Sequence, residues 1–166
     1  MVLHVTAAFS CNPNHIKGGW YVAELAKRMP ETVFVVIGSS GKESELPKNV
    51  LNIGRVEDQR ELAAWYSAAD VTLLTSKKET FSMIVAESLC CGTPVVGFKA
   101  GAPEMIALPE YSRFVEHGDT DALETALLEM LEKKIDVSRE LAVQSYSKEK
   151  MSDDYYRLYE GISCLN

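Results

Sequence analysis

The chain has 166 residues, of which 46% are hydrophobic and 25% are charged, and its formal net charge is −7. This length and composition are typical of one soluble globular domain with a single core, and they exclude a fibrous or disordered chain. The negative net charge repels phosphate polymers, so no nucleic-acid binding is expected, and no apolar run approaches the roughly 20 residues that cross a bilayer.

The first residues and the cysteines bear on the cellular location of the chain and on whether it contains zinc sites or disulfides. Residues 1–5 lack the basic start and the long apolar stretch of a signal peptide, which indicates a cytoplasmic location. Cys11, Cys90, Cys91 and Cys164 contain no C-x-x-C pair and are accompanied by no histidine cluster. We therefore interpret them as small buried residues or reduced thiols, and we expect neither a zinc site nor a disulfide framework.

Hydrophobic patterning predicts strands and helices in alternation. Residues 32–37 are rich in β-branched side chains and precede Gly38, which is typical of a buried strand. Residues 120–133 place leucines at helical spacing, which is typical of an amphipathic helix. In chain order the prediction is strand 2–7, helix 18–29, strand 32–37, loop 39–48, strand 50–53, a helix to residue 69 capped by Asp58, strand 71–75, helix 81–91, strand 94–98, helix 103–107, strand 112–115, and helices 120–133, 138–146 and 148–163.

Strands that alternate with helices at this spacing pair in parallel through right-handed crossovers. The predicted fold class is α/β: an open, doubly wound, Rossmann-like parallel sheet of about six strands, forming one domain over residues 1–166. Ligands of such sheets bind at the carboxyl ends of the strands, near the point where the strand order reverses. We therefore expect the functional residues in the loops after Ala7, Ile53, Thr75 and Phe98.

The loop after the fourth predicted strand, residues 76–82, leads into a helix. A helix start offers unpaired N–H groups and a positive dipole end, which together bind phosphate. Glu79 precedes this helix and Glu87 lies inside it, eight positions later. Two carboxylates with this separation can accept hydrogen bonds from two sets of hydroxyls, such as a sugar and a ribose. The alternative is an ordinary acid at a helix start and a solvated one within the helix.

A second candidate element is the segment Lys17, Gly18 and Gly19, which lies between the first strand and the first helix. A lysine there can reach a phosphate, although a surface lysine in a loop is the plainer interpretation. The sequence contains neither a G-x-G-x-x-G fingerprint nor a P-loop, which argues against a dehydrogenase and against a P-loop kinase.

Five segments carry a family resemblance. They are E-T-F-S-M-I-V-A-E with G-T-P-V-V in residues 79–96, G-A-P-E-M-I in 101–106, I-G-R-V in 53–56, Y-S-A-A-D-V in 66–71, and F-V-E-H-G-D in 114–119. They resemble the E-x7-E, G-T-P-V-V, G-G-x-x-E-x-I, L-G-x-V, Y-x-x-A-D-V and G-D-x-x-A-L motifs of retaining GT-B glycosyltransferases of family 4, also called glycosyl transferases group 1. The ordered set covers nearly the whole chain and resembles the C-terminal, donor-binding domain of that family.

The resemblance implies roles for individual residues. Glu79 and Lys17 would be catalytic, with Glu79 on hydroxyls of the donor sugar and Lys17 on the diphosphate of the departing nucleotide. Glu87 would hold the ribose. The remaining nucleotide-sugar contacts would come from Thr80, Phe81, Ser82 and Met83 around the helix start and from Gly54, Arg55 and Val56 against the base. The implied reaction needs no metal and no cofactor beyond the substrate nucleotide sugar.

The sequence also departs from the family pattern. The family carries Gly-Arg after the first strand, but residues 6–10 contain no arginine, so either Lys17 acts alone or Lys77 or Lys78 compensates. Thr80 and Ser82 stand where the family has glycines, which would add hydroxyl contacts or narrow the choice of donor.

The resemblance implies an N-terminal acceptor-binding domain that is absent from residues 1–166, so we expect this chain to bind a nucleotide sugar but to transfer the sugar poorly by itself. Membrane association would depend on that absent half. The alternatives are a stand-alone nucleotide-binding module and a phospho-acceptor signalling domain, and the second lacks the aspartate cluster that it would need at strand ends.

Overall fold

The protein is described here by a computed structural model covering residues 1–40 and 46–163. Of the predicted loop 39–48, residues 41–45 lie outside the described residues, as does Cys164. In chain order the elements are β1 (Val2–Phe9), α1 (Gly19–Arg28), β2 (Phe34–Ser40), β3 (Val50–Gly54), α2 (Gln59–Ala68), β4 (Val71–Leu74), α3 (Met83–Cys90), β5 (Val95–Phe98), α4 (Pro103–Ile106), β6 (Ser112–Val115), α5 (Thr120–Lys133), α6 (Arg139–Ser145) and α7 (Lys148–Ser163).

The described strands form one parallel sheet in the order β3-β2-β1-β4-β5-β6. This confirms the predicted doubly wound α/β class, because the chain runs outward from β1 to one edge and then returns to the other side of β1. Strands β4 and β5 are buried on both faces, as their continuous apolar runs predict. The strand order reverses between β1 and β4, so the crevice between these two strands is where a ligand is expected.

Three strands end later than the sequence predicts: β1, β2 and, by one residue, β3, which includes Gly54. β1 continues past Ala7 to Phe9, and β2 continues past Gly38 to Ser40. The extension has a tertiary cause, because Ala8 pairs with Ser39 and Phe9 pairs with Ser40 beyond a register shift in β1. The prediction that Ser39 and Ser40 belong to a loop is therefore wrong.

Helix α3 starts later than predicted. Residues 81 and 82 precede the helix, and Ser82 is its N-cap with a φ of 72° and a ψ of 76°. A residue with this left-handed backbone conformation cannot be part of a right-handed helix, so the first helical residue is Met83. The start of β2 was also predicted wrongly, because this strand begins at Phe34 and not at residue 32. Asp58 caps α2 as predicted, by accepting bonds from the N–H groups of Arg60 and Glu61.

Helix α7 has an unburied apolar stripe. Met151, Tyr155, Leu158, Tyr159 and Ile162 recur at helical spacing, and each is more than half exposed. Within the described residues, no helix is both long enough and apolar enough to cross a membrane.

The half-buried Cys90 and Cys91 form no disulfide within the described part of the chain. Burial raises the pKa of both thiols, which keeps them protonated and weakly reactive.

Candidate functional site

A cleft of about 650 Å³ opens at the carboxyl ends of β1, β2 and β3 and at the start of α3. It therefore lies beside the point where the strand order reverses. The cleft is lined by Val5, Thr6, Ala7, Lys17, Ile37, Gly38, Arg55, Val56, Leu62, Glu79, Thr80, Phe81, Ser82, Met83, Ile84 and Glu87. The sequence-predicted residues are thus brought together, with one exception: Gly54 ends β3 and turns the chain at a φ of 81°, next to the lining residue Arg55.

The backbone around Lys17 is fixed by contacts with the loop after β4. The hydroxyl of Thr75 donates to the carbonyl of Lys17 at 3.0 Å, and the N–H of Lys77 donates to the carbonyl of Ile16 at 2.8 Å. Gly18 has a φ of 67°, and a β-carbon there would lie 2.1 Å from the carbonyl oxygen of Thr75. Only glycine allows this approach, which explains why a glycine follows Lys17.

Lys17 and Glu79 form an ion pair across the cleft. The Nζ of Lys17 lies 2.8 Å from Oε1 of Glu79, and both side chains are mostly buried, with exposed fractions of 28% and 14%. An ammonium has three donors, so Lys17 can hold Glu79 and still donate to an anion in the cleft. The contact joins the loop after β1 to the loop after β4, which are 62 positions apart in sequence.

The loop after β5 supports Glu79 from behind without lining the cleft. The N–H of Glu79 donates to the carbonyl of Ala100 at 3.0 Å, and the carboxylate of Glu104 accepts from the N–H groups of Ala100 and Gly101 at 2.9 Å. Burial opposes ionisation of Glu104, but these backbone donors outweigh it and lower its pKa. The predicted involvement of the loop after Phe98 is therefore indirect.

The N-terminus of α3 faces the same cleft, since Ser82, Met83 and Ile84 all line it. The first N–H groups of a helix have no carbonyl partner within the helix and carry a partial positive charge. Ser82 is 7% exposed, its side chain does not cap α3, and its Oγ has no hydrogen-bond partner among the described residues. This end of the cleft is therefore suited to an anion.

Glu87 lies deeper along α3 and is held by a tyrosine. The hydroxyl of Tyr66 donates to Oε2 of Glu87 at 2.9 Å, and Tyr66 is 1% exposed. Burial, together with the negative charge of Glu87, raises the pKa of Tyr66 far above its ordinary value, so the phenol remains a donor. This contact was not predicted from the sequence, although Tyr66 lies in the Y-x-x-A-D-V segment that carries part of the family resemblance.

Two further differences concern the rim of the cleft. Lys77 and Lys78, proposed above as substitutes for the family arginine, are exposed and do not line the cleft. Ile37 and Gly38 on β2, which were not predicted as site residues, do line it.

Comparison with known proteins identifies the family. Residues 18–133 match the family described as Glycosyl transferases group 1. The chain belongs to this family. The matched segment includes Gly18, Glu79 (the ion-pair partner of Lys17) and the hydrogen-bonded pair Tyr66 and Glu87.

The chain also resembles individual curated proteins. It is 27% identical over 128 residues to N-acetyl-alpha-D-glucosaminyl L-malate synthase of Bacillus anthracis, which covers 73% of this chain and 33% of that protein. The chain spans about a third of the length of the curated relatives that it matches.

Solved structures share the fold. Sucrose-phosphate synthase from Thermosynechococcus elongatus superposes with a TM-score of 0.75 at 21% identity, covering 99% of this chain and 46% of that one. Anabaena HepE in complex with UDP superposes with a TM-score of 0.69 at 16% identity, covering 96% and 48%. These likenesses show that the chain has the fold of one sheet domain of a GT-B glycosyltransferase.

Proposed function

We propose that residues 1–166 form the donor-binding domain of a retaining, metal-independent glycosyltransferase, which moves a sugar from a nucleoside diphosphate sugar to an acceptor hydroxyl. The observation that carries the proposal is the 2.8 Å ion pair between Lys17 and Glu79, which line the same cleft as the N-terminus of α3. One cation, one carboxylate and a set of backbone donors there match the needs of a diphosphate joined to a sugar.

The charges along the cleft give the ligand a direction. Lys17 and the first N–H groups of α3 would bind the diphosphate, because both carry positive charge. Glu87 lies five residues beyond Ser82, on the order of 7 Å along the helix axis, and would accept hydrogen bonds from ribose hydroxyls. Arg55 and Val56 would lie against the base, and Glu79 and Thr80 would contact the sugar.

Transfer breaks the bond between the anomeric carbon and the diphosphate oxygen and forms a bond to the acceptor oxygen, whose proton is released. Negative charge grows on the departing diphosphate, and donors aimed at it lower the barrier. Lys17 and the α3 N-terminus would supply that stabilisation without a metal ion. The structure of Anabaena HepE with UDP, and the similarity to a protein named D-inositol 3-phosphate glycosyltransferase of Xylanimonas cellulosilytica, support a nucleotide-sugar substrate.

Groups that bind the acceptor would lie outside residues 1–166. The cleft of this domain is open to solvent, so water would compete at the reacting carbon and transfer by these residues alone would be slow. Rapid transfer by residues 1–166 to a defined acceptor would contradict this part of the proposal, and product anomers assigned by NMR would test retention.

Isothermal titration with UDP, GDP and ADP, in the presence of EDTA, tests donor binding. We expect one diphosphate to bind. Lys17→Ala and Glu87→Gln should each raise its Kd by about 10- to 100-fold, since a charge-assisted hydrogen bond contributes about 1.5–3 kcal/mol.

Lys133→Ala and Glu129→Gln serve as matched controls, because they change the same residue types in an exposed pair on α5. We expect their Kd to equal that of the unmodified chain. Absence of binding by all three diphosphates, or equal losses in the site and control variants, would refute the proposal.

A further inference from the structure

The contact between Tyr66 and Glu87 joins a buried tyrosine to a carboxylate that lines the cleft. Tyr66 is among the largest fully buried side chains of the protein, yet its hydroxyl reaches the wall of the cleft and donates to Oε2 of Glu87 at 2.9 Å. A phenol that only filled the core would need some acceptor, but this acceptor is a partly exposed carboxylate that lines the cleft.

Tyr66 itself is held on its backbone side. The hydroxyl of Thr93 donates to the carbonyl of Tyr66 at 2.5 Å, and the hydroxyl of Ser88 donates to the carbonyl of Thr93 at 2.8 Å. Ser88 also lies 2.7 Å from the hydroxyl of Thr72 on β4. Because Ser88 is the neighbour of Glu87 on α3, these buried bonds hold α2 and α3 together next to the Tyr66–Glu87 contact.

The contact leaves one oxygen of Glu87 for a ligand. Oε2 accepts from Tyr66, whereas Oε1 has no hydrogen-bond partner within residues 1–40 and 46–163. A glutamate side chain has considerable rotamer freedom, and binding a ligand through it requires that freedom to be lost. A rigid phenol that holds one oxygen removes most of this freedom before the ligand arrives.

We propose that Tyr66 is a positioning residue that fixes the carboxylate of Glu87, so that its second oxygen selects a ribose over a sugar lacking the 2′- and 3′-hydroxyls. This inference rests on the proposed function, because it takes Glu87 to bind the ribose. Tyr66 does not contact the nucleotide itself. It acts on recognition of the ribose hydroxyls alone and leaves the diphosphate contacts of Lys17 and α3 unchanged.

The test is the ratio of two dissociation constants, measured by titration calorimetry. The probes are UDP, GDP and ADP, each paired with its 2′,3′-dideoxy counterpart. For the diphosphate that binds, we expect the unmodified chain to prefer the ribonucleotide by at least about tenfold, since a hydrogen bond to a carboxylate is among the stronger kind. Tyr66→Phe should reduce that preference by about three- to tenfold and leave the Kd of the dideoxy compound within about twofold.

Two further variants separate positioning from general loosening. Tyr146→Phe removes another phenol that donates to a protein oxygen, the carbonyl of Ile106 at 2.8 Å, away from the cleft, and should leave the ratio unchanged. In a Glu87→Ala background, adding Tyr66→Phe should change the ratio no further, because the side chain through which Tyr66 acts is gone.

The outcomes distinguish the two proposals. If no diphosphate binds the unmodified chain, the donor-binding function and this inference both fall. If UDP or another diphosphate binds and Glu87→Gln weakens it, but Tyr66→Phe leaves the ribose preference intact or weakens both probes equally, donor binding stands and the positioning role of Tyr66 is refuted.

Discussion

Replacing Ser82 with glycine should stabilise the protein. Ser82 holds a φ of 72° and buries a hydroxyl that has no partner among the described residues. A left-handed conformation costs a non-glycine residue about 1–2 kcal/mol, and an unpaired buried hydroxyl costs about 1–3 kcal/mol. Glycine removes both costs but loses about 0.5–1 kcal/mol through the greater freedom of the unfolded chain.

The net gain for Ser82→Gly is therefore about 2 kcal/mol, which raises the melting temperature of a chain of this size by about 4–8 °C. Ser82→Ala removes the hydroxyl but keeps the strained backbone, so its melting temperature should fall between those of serine and glycine. Both values follow from thermal unfolding monitored by circular dichroism. A melting temperature of Ser82→Gly at or below that of the unmodified protein would refute the reasoning.

Three other predictions follow from the same structure. Gly18→Ala places a β-carbon 2.1 Å from the carbonyl oxygen of Thr75. We therefore expect the free energy of unfolding, measured in urea, to fall by about 2–4 kcal/mol, and diphosphate binding to weaken because Lys17 is displaced. Gly161→Ala, whose β-carbon meets no atom within 4 Å, should be neutral or stabilising. Burial lowers the pKa of His4 from 6.5 to about 4. The unfolded state therefore binds a proton before the folded state does, and the free energy of unfolding falls by on the order of 3 kcal/mol as the pH drops from 6.5 to 4. His4→Leu should lack this part of the pH dependence, and an equal slope of unfolding free energy against pH in both proteins would contradict the prediction. Amides of α7 should exchange hydrogen much faster than those of α3 in mass-spectrometric measurements, because most side chains of α7 are exposed; equal protection would show that α7 is covered in solution.

The structure describes two positions at which the sequence departs from the family pattern, Ser82 and the lysines near the cleft. Ser82 adopts a glycine-like φ, which accounts for the glycine that the family has there and identifies a strained position beside the proposed phosphate site. Lys17 is mostly buried and paired with Glu79, whereas Lys77 and Lys78 are exposed, so Lys17 is the lysine that lines the cleft.

The sequence by itself determined the elements whose signals are local. Helices α5 and α7 and strand β6 have the predicted bounds, because their apolar spacing and capping residues lie within or next to the element. The doubly wound class followed from the alternation of strands and helices, and the loops that carry Lys17 and Glu79 followed from the rule for parallel sheets.

Tertiary structure alone decided which side chains meet. The Lys17–Glu79 pair joins residues 62 positions apart, and the Tyr66–Glu87 pair joins residues 21 positions apart on different helices. Strand ends at Phe9 and Ser40 likewise depend on pairing between strands, and the start of α3 depends on a backbone angle at Ser82 that its side chain does not favour. Such contacts depend on the packing of distant segments, whereas hydrophobic period and capping depend only on neighbours along the chain.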